Sequence, residues 1–146
     1  MTAGFADGVH RLPLRVYYED TDAGGIVYYA NYLRFAERGR TEFLRALGFQ
    51  QQRITAEQGI VFPVRSMTAE YFQPARLDDE LIVRTALKDL GRAQVIFDQR
   101  IERADPAGGE AIRLFEAQVR IACLDINKNK PVPMPRDIHE KFKALT

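Results

Sequence analysis

The chain has one cysteine, two histidines and no apolar run approaching the roughly 20 residues that cross a bilayer. A single thiol, Cys123, excludes an internal disulfide framework, and His10 and His139 cannot complete a Cys/His zinc cluster with it. No metal is expected, and a reducing, cytoplasmic setting fits best. The N-terminus lacks a basic start followed by an apolar core of signal-peptide length. Charge of one sign is scarce too. The formal net charge is +1 with 28% of residues charged and both signs spread along the chain, so no global field advertises a nucleic-acid or membrane partner, although local basic patches stay open. Internal repeats and low-complexity tracts are absent.

What is present reads as one domain over residues 1–146, long enough to bury a real core without staples. Residues 1–9 show no periodicity and are expected to be a loose terminus. From Arg11 to Glu19 the apolar side chains Leu12, Leu14, Val16 and Tyr18 fall at every second position, the period of a half-buried strand. Asp20, Asp22, Gly24 and Gly25 then form a turn-prone, acidic loop.

Between about Tyr28 and Leu47, the residues Tyr29, Leu33, Ala36, Phe43 and Leu47 recur at helical spacing, joined by Tyr32, Phe35 and Leu44, and Gly48 supplies the stop. Arg34, Arg38, Thr41 and Arg45 mark the other face, with Glu42 placed to pair Arg38. Gly39 costs roughly 1 kcal/mol against alanine in mid-helix, which suggests close approach by a neighbouring backbone. A short helical piece is expected over Thr55 to Gln58. Strand-like segments follow at Ile60–Phe72, Asp79–Leu90, Ala93–Arg103 and Glu110–Asp125, separated by short turns that imply antiparallel pairing. Residues 131–146 read as a proline-broken tail ending in a short amphipathic helix carrying Ile138, Phe142 and Leu145. The plan is α+β, one long helix covered by an antiparallel sheet.

The run from Val16 to Tyr32, with Phe35–Glu42 and Tyr71–Asp79, resembles the signature of hotdog-fold acyl-CoA thioesterases, and more narrowly the 4-hydroxybenzoyl-CoA thioesterase family and its YbgC-type branch, associated with the Tol-Pal envelope system. The likeness covers roughly residues 14–125. It implies a hotdog fold, a long central helix wrapped by a five-stranded antiparallel sheet. It also implies a homodimer or dimer of dimers with active sites at the subunit interface, acyl-CoA as substrate, acyl carrier protein as a possible partner, and no cofactor, coenzyme A being part of the substrate.

By the same resemblance Asp22 takes the place of the catalytic carboxylate, as nucleophile or general base. Tyr29 supplies the backbone amide that polarises the thioester carbonyl, and Gly25, Ile26 and Val27 meet the substrate. Arg65 and Arg92, with Arg76 and the Lys128/Lys130 pair, are basic candidates for the phosphates of coenzyme A. The branch usually carries histidine where this chain has Tyr29, whereas hydroxybenzoyl-type members can have tyrosine, which leans the expectation toward aromatic acyl groups. Without the resemblance, Asp22 reads as a turn or helix-capping aspartate. Asp20 and Glu19 read as structural or solvated acids, and Cys123 as a small buried apolar residue. The rival functions are a thioester-binding or partner-recruiting module and an enoyl-thioester hydratase.

Overall fold

The computed structural model describes residues 3–146. Its main sheet is antiparallel and six-stranded, in the order β1 (Gly4–Ala6), β2 (Val9–Arg15), β5 (Glu80–Leu90), β6 (Gln94–Arg103), β7 (Ile112–Ala122) and β4 (Val64–Tyr71). A small second sheet joins β3 (Ile60–Val61), β8 (Leu124–Asp125) and β9 (Lys130–Pro131). The helices are α1 (Asn31–Ala46), α2 (Gln51–Gln58) and α3 (Arg136–Lys143).

The meander from β5 to β7 follows the alternation in the sequence. Leu81, Val83 and Thr85 of β5 and Val95, Phe97, Gln99 and Ile101 of β6 are buried under α1, which contributes Tyr32, Phe35, Ala36, Gly39 and Phe43. Gly39 lies where a Cβ would meet Val83 Cγ1 at 2.6 Å and Thr85 Oγ1 at 2.9 Å, so the close approach expected there is real, and it comes from sheet side chains. Beside it, Gln99 Nε2 donates to the Ala36 carbonyl at 2.8 Å and to Thr85 Oγ1 at 2.9 Å, which satisfies a buried amide at the helix–sheet contact.

Several expectations are corrected. The terminus is not loose from Gly4 onward. Gly4–Ala6 pairs antiparallel with Val9–Arg11 across Asp7-Gly8, both with positive φ, and this adds the sixth strand. An Asp-Gly pair is a strong two-residue hairpin signal. Residues 1 and 2 of that stretch lie outside the described residues. The first strand ends at Arg15, and Tyr18–Asp20 is a single 3-10 turn, which leaves Tyr18 83% exposed where alternation had buried it.

The helix begins at Asn31 rather than Tyr28, so Tyr29 stays exposed outside it. Helix α2 runs a turn earlier than expected, burying Ile54. Phe62-Pro63 splits the expected Ile60–Phe72 strand into β3 and β4, and Cys123 separates β7 from β8. Glu42 pairs with Arg45, while Arg38 lies 5.7 Å over the Phe35 ring. The C-terminal helix is no mere tail, because Ile138 and Phe142 are fully buried and Phe142 meets Phe43 and Phe97 at 6.1 and 6.3 Å.

His10 is buried against Phe5 and Phe43, at ring distances of 5.2 and 6.4 Å, and its Nδ1 has no hydrogen-bond partner among the described residues. Burial pushes its pKa below the ordinary 6.5, opposed more weakly by the Glu42 charge. The folded state therefore prefers neutral imidazole. The stability this supplies is complete above pH 6.5 and is lost as pH falls below it. The melting temperature of the parent is expected to drop between pH 7.5 and 5.5 more steeply than that of His10→Phe; equal slopes in scanning calorimetry would remove His10 from the account.

Candidate active site

The acidic loop is a compact hairpin of backbone bonds. Asp22 N–H donates to the Ile26 carbonyl at 2.9 Å, Gly25 N–H returns to the Asp22 carbonyl at 3.1 Å, and Thr21 and Val27 form a bridge. Gly25 has φ 77°, the left-handed region that favours glycine, and none of the described residues stands within 4 Å of where its Cβ would be. The carboxylate of Asp22 is exposed, with Oδ1 accepting the Gly24 N–H at 2.8 Å. That bond is an Asx turn, so the structural reading of Asp22 is realised, and its Oδ2 has no protein partner among the described residues.

Val27 is buried, with its N–H bonded to the Ala75 carbonyl at 2.8 Å, and Ile26 bridges Arg76. The 75–76 segment thereby anchors the far side of the loop. Arg76 is exposed at this corner. Arg65 and Arg92 are not brought there within one chain. Tyr71, at the opposite end of β4 from Arg65, touches Tyr29, and six residues of strand separate the two ends by roughly 20 Å. Arg92 sits in the turn between β5 and β6, at Arg65's end of the sheet, where its carbonyl accepts the Met134 N–H at 2.8 Å. Lys128 and Lys130 lie beyond β8.

At the entrance to α1, the N–H groups of Tyr29 and Ala30 have no protein acceptor among the described residues, whereas Asn31 N–H donates to the Tyr28 carbonyl at 2.8 Å. Ala30, the N-cap residue, offers no capping side chain. Open donors at the positive end of a helix dipole are suited to negative charge. The Tyr29 carbonyl accepts the Tyr71 hydroxyl at 3.1 Å, and burial raises the Tyr71 pKa, so the phenol keeps the proton it donates. The rings of Tyr28, Tyr29 and Tyr71 form an exposed aromatic wall beside the loop. Sequence periodicity put Tyr29 on the buried stripe and so missed this wall.

Asp20 is structural, as expected. It is 5% exposed and bonded on both carboxylate oxygens. Glu19 is exposed. Cys123 is fully buried, which pushes its thiol up to about 11. Among the described residues no three His, Cys, Asp or Glu side chains gather closely enough to hold a metal ion, and no helix is long and apolar enough to cross a membrane. A groove of about 590 Å³ on the outer face of the sheet is lined by Arg84, Asp98, Arg100 and Glu116 and lies away from the Asp22 loop. Its two arginines are paired across strands, Arg100 with Glu116 at 3.0 Å and Arg84 with Glu102 at 3.5 Å.

Comparison with known proteins gives concordant results. The sequence model of the Thioesterase-like superfamily matches residues 16–142. The chain is 48% identical over 133 residues to the acyl-CoA thioester hydrolase YbgC of an Escherichia coli O6:H1 strain, covering 91% of this chain and 95% of that protein. It is 43% identical over 139 residues to the acyl-CoA thioesterase YbgC of Haemophilus influenzae, covering 95% and 98%. A crystal structure of a 4-hydroxybenzoyl CoA thioesterase mutant complexed with 4-hydroxybenzoyl CoA superposes with a TM-score of 0.84 at 23% identity over 92% of this chain and 98% of that one, a likeness of fold. With its antiparallel sheet, its helices and these relatives, the chain belongs to the thioesterase-like, hotdog-fold superfamily.

Proposed function

We propose that this protein is an acyl-CoA thioester hydrolase that converts short-chain or aromatic acyl-CoA to free acid and coenzyme A, with Asp22 as base or nucleophile and the Tyr29 amide as the carbonyl-polarising donor. The observation that carries the reading is the pairing of a carboxylate free on one oxygen with open N–H groups at a helix entrance, across a glycine turn, in a chain similar along nearly its whole length to acyl-CoA thioesterases. Attack on the thioester carbon drives negative charge onto the carbonyl oxygen. A preorganised N–H facing that charge is worth about 3 kcal/mol. Collapse of the tetrahedral species then expels the coenzyme A thiolate, which takes up a proton; where water that gave its proton to Asp22 attacked, free acid is left, and where Asp22 itself attacked, water hydrolyses the acyl–Asp22 anhydride to free acid. No histidine is needed at any step, so tyrosine at position 29 is compatible with the chemistry.

The working unit we propose is a homodimer, or a dimer of dimers. Strand β4 is the long free edge of the sheet, exposed along its length apart from Met67, and such an edge is a template for pairing. Antiparallel pairing of two β4 edges about an axis near Thr68 would set one copy's Arg65 opposite the other's Tyr71. That would bring Arg65 of one copy to the Tyr71 corner of the other, alongside Arg76. The unpaired cysteine supports a reducing, cytoplasmic location.

A panel of aliphatic and aromatic acyl-CoA and acyl-carrier-protein thioesters, followed by free-thiol release, tests the function. Release from at least one acyl class with saturation is expected. Tight binding without thiol release would point to the binding module, and hydration of crotonyl-CoA to the hydratase.

A further inference from the structure

We infer that Asp20 and Asn31 form a buried clamp that fixes the direction of the Tyr29 N–H, and that both are positioning residues for the hydrolysis proposed above, on which this inference rests. Both are 5% exposed, and they lie eleven residues apart in sequence. Asp20 Oδ1 accepts the Asn31 side-chain N–H at 2.8 Å, and Asp20 Oδ2 accepts the Tyr17 backbone N–H at 2.8 Å. The Asp20 carbonyl accepts the Tyr28 N–H at 2.9 Å, and the Asn31 backbone N–H donates to the Tyr28 carbonyl at 2.8 Å.

Tyr28 is therefore held at both of its backbone polar groups, from one side by Asp20 and from the other by Asn31, while Asp20 and Asn31 hold each other. The Tyr28 carbonyl and the Tyr29 N–H belong to one planar trans peptide and point in opposite directions. Fixing the carbonyl toward Asn31 turns the N–H outward, to the side the reaction needs.

The usual way to order a helix entrance is a capping side chain at residue 30, which would bond the N–H of Tyr32 or Leu33. Ala30 cannot do that. A carboxylate that reaches the helix through an asparagine side chain orders the entrance and leaves the Tyr29 and Ala30 N–H groups open. It costs the burial of a carboxylate, a cost met by bonds to both of its oxygens.

The test is a swap. Asn31→Asp faces one carboxylate with another at hydrogen-bond distance and breaks the clamp. Asp20→Asn combined with Asn31→Asp restores a donor–acceptor pair of reversed polarity and leaves an amide oxygen for the Tyr17 N–H. Because a displaced donor acts on the transition state, kcat in Asn31→Asp is expected to fall about 10- to 100-fold with KM changed less than about threefold. The double variant is expected to recover kcat to within about threefold of the parent.

Melting curves and circular dichroism accompany each variant. A folded Asn31→Asp with parental kcat overturns the clamp, and so does a folded double variant whose kcat stays down. If Asn31→Asp fails to fold, the double variant decides alone: recovered kcat supports the clamp and depressed kcat overturns it. Asn31→Ala removes the donor without adding charge, and parental kcat in that variant also overturns it. Full activity in Asp22→Asn would instead remove the site reading itself, whereas an inactive Asp22→Asn beside a fully active Asn31→Asp removes only the clamp.

Discussion

Asp22→Asn is expected to lower kcat by about 10²- to 10⁴-fold while KM moves less than about twofold, measured as thiol release from the best substrate of the panel. The substitution is close to isosteric, and its amide oxygen can still accept the Gly24 N–H, so the Asx turn and the course of the loop are kept. What disappears is the negative, basic oxygen. Asp22 is exposed and makes no ion pair among the described residues, so the melting temperature should stay within a few degrees of the parent. Loss of activity with the fold intact is the diagnostic combination. A variant as fast as the parent would return Asp22 to its turn-forming role and send the search for the base elsewhere.

The second large effect is on stability. In Gly39→Ala the new Cβ must displace Val83 Cγ1 from 2.6 Å and Thr85 Oγ1 from 2.9 Å, and the nearest relief is to lift α1 off the sheet. Overpacking of that kind costs about 1–3 kcal/mol. Lifting the helix also stretches the bond from Gln99 to the Ala36 carbonyl and leaves a buried amide short of its partner, at about 1–3 kcal/mol more. Alanine's better helix propensity returns roughly 1 kcal/mol. The net loss is about 1–5 kcal/mol, or a fall in melting temperature of roughly 3–15 °C for a domain of this size. An unchanged or raised melting temperature would show that the helix–sheet contact has slack the distances do not reveal.

The sequence disclosed most where a local pattern carries its own physical cause. The strands β5 to β7 were legible because one face of each is buried, so apolar side chains alternate, and the turn at Asp89–Arg92 is short. Gly39 was legible because a mid-helix glycine has a cost that something must justify. The acidic loop was legible as a motif with a turn whose paired glycines permit positive φ, which Gly25 adopts.

The failures have causes of the same kind. Alternation through Tyr18 ignored that the chain turns away after Arg15, a decision made by the bond from Tyr17 N–H to Asp20, which no periodicity records. Helical spacing carried Tyr29 into the helix, although the Asp20 carbonyl takes the Tyr28 N–H and delays the helix to Asn31. Phe142 looked like part of a tail because eight residues of amphipathic helix say nothing about which core they enter. Arg65 and Arg92 show only their charge in a linear sequence, which does not reveal that a strand's length separates Arg65 from the site.

Cys123 carries a consequence for an enzyme that handles thioesters. A thiolate within reach of acyl-CoA exchanges readily with it, taking the acyl group onto itself, and one within reach of released coenzyme A in an oxidising moment forms a mixed disulfide with it. Both reactions need the ionised sulfur. With no exposed surface and its pKa raised to about 11, Cys123 supplies almost none at neutral pH. The chain can thus process a reactive sulfur ester turnover after turnover without its own sulfur becoming a trap for the acyl group.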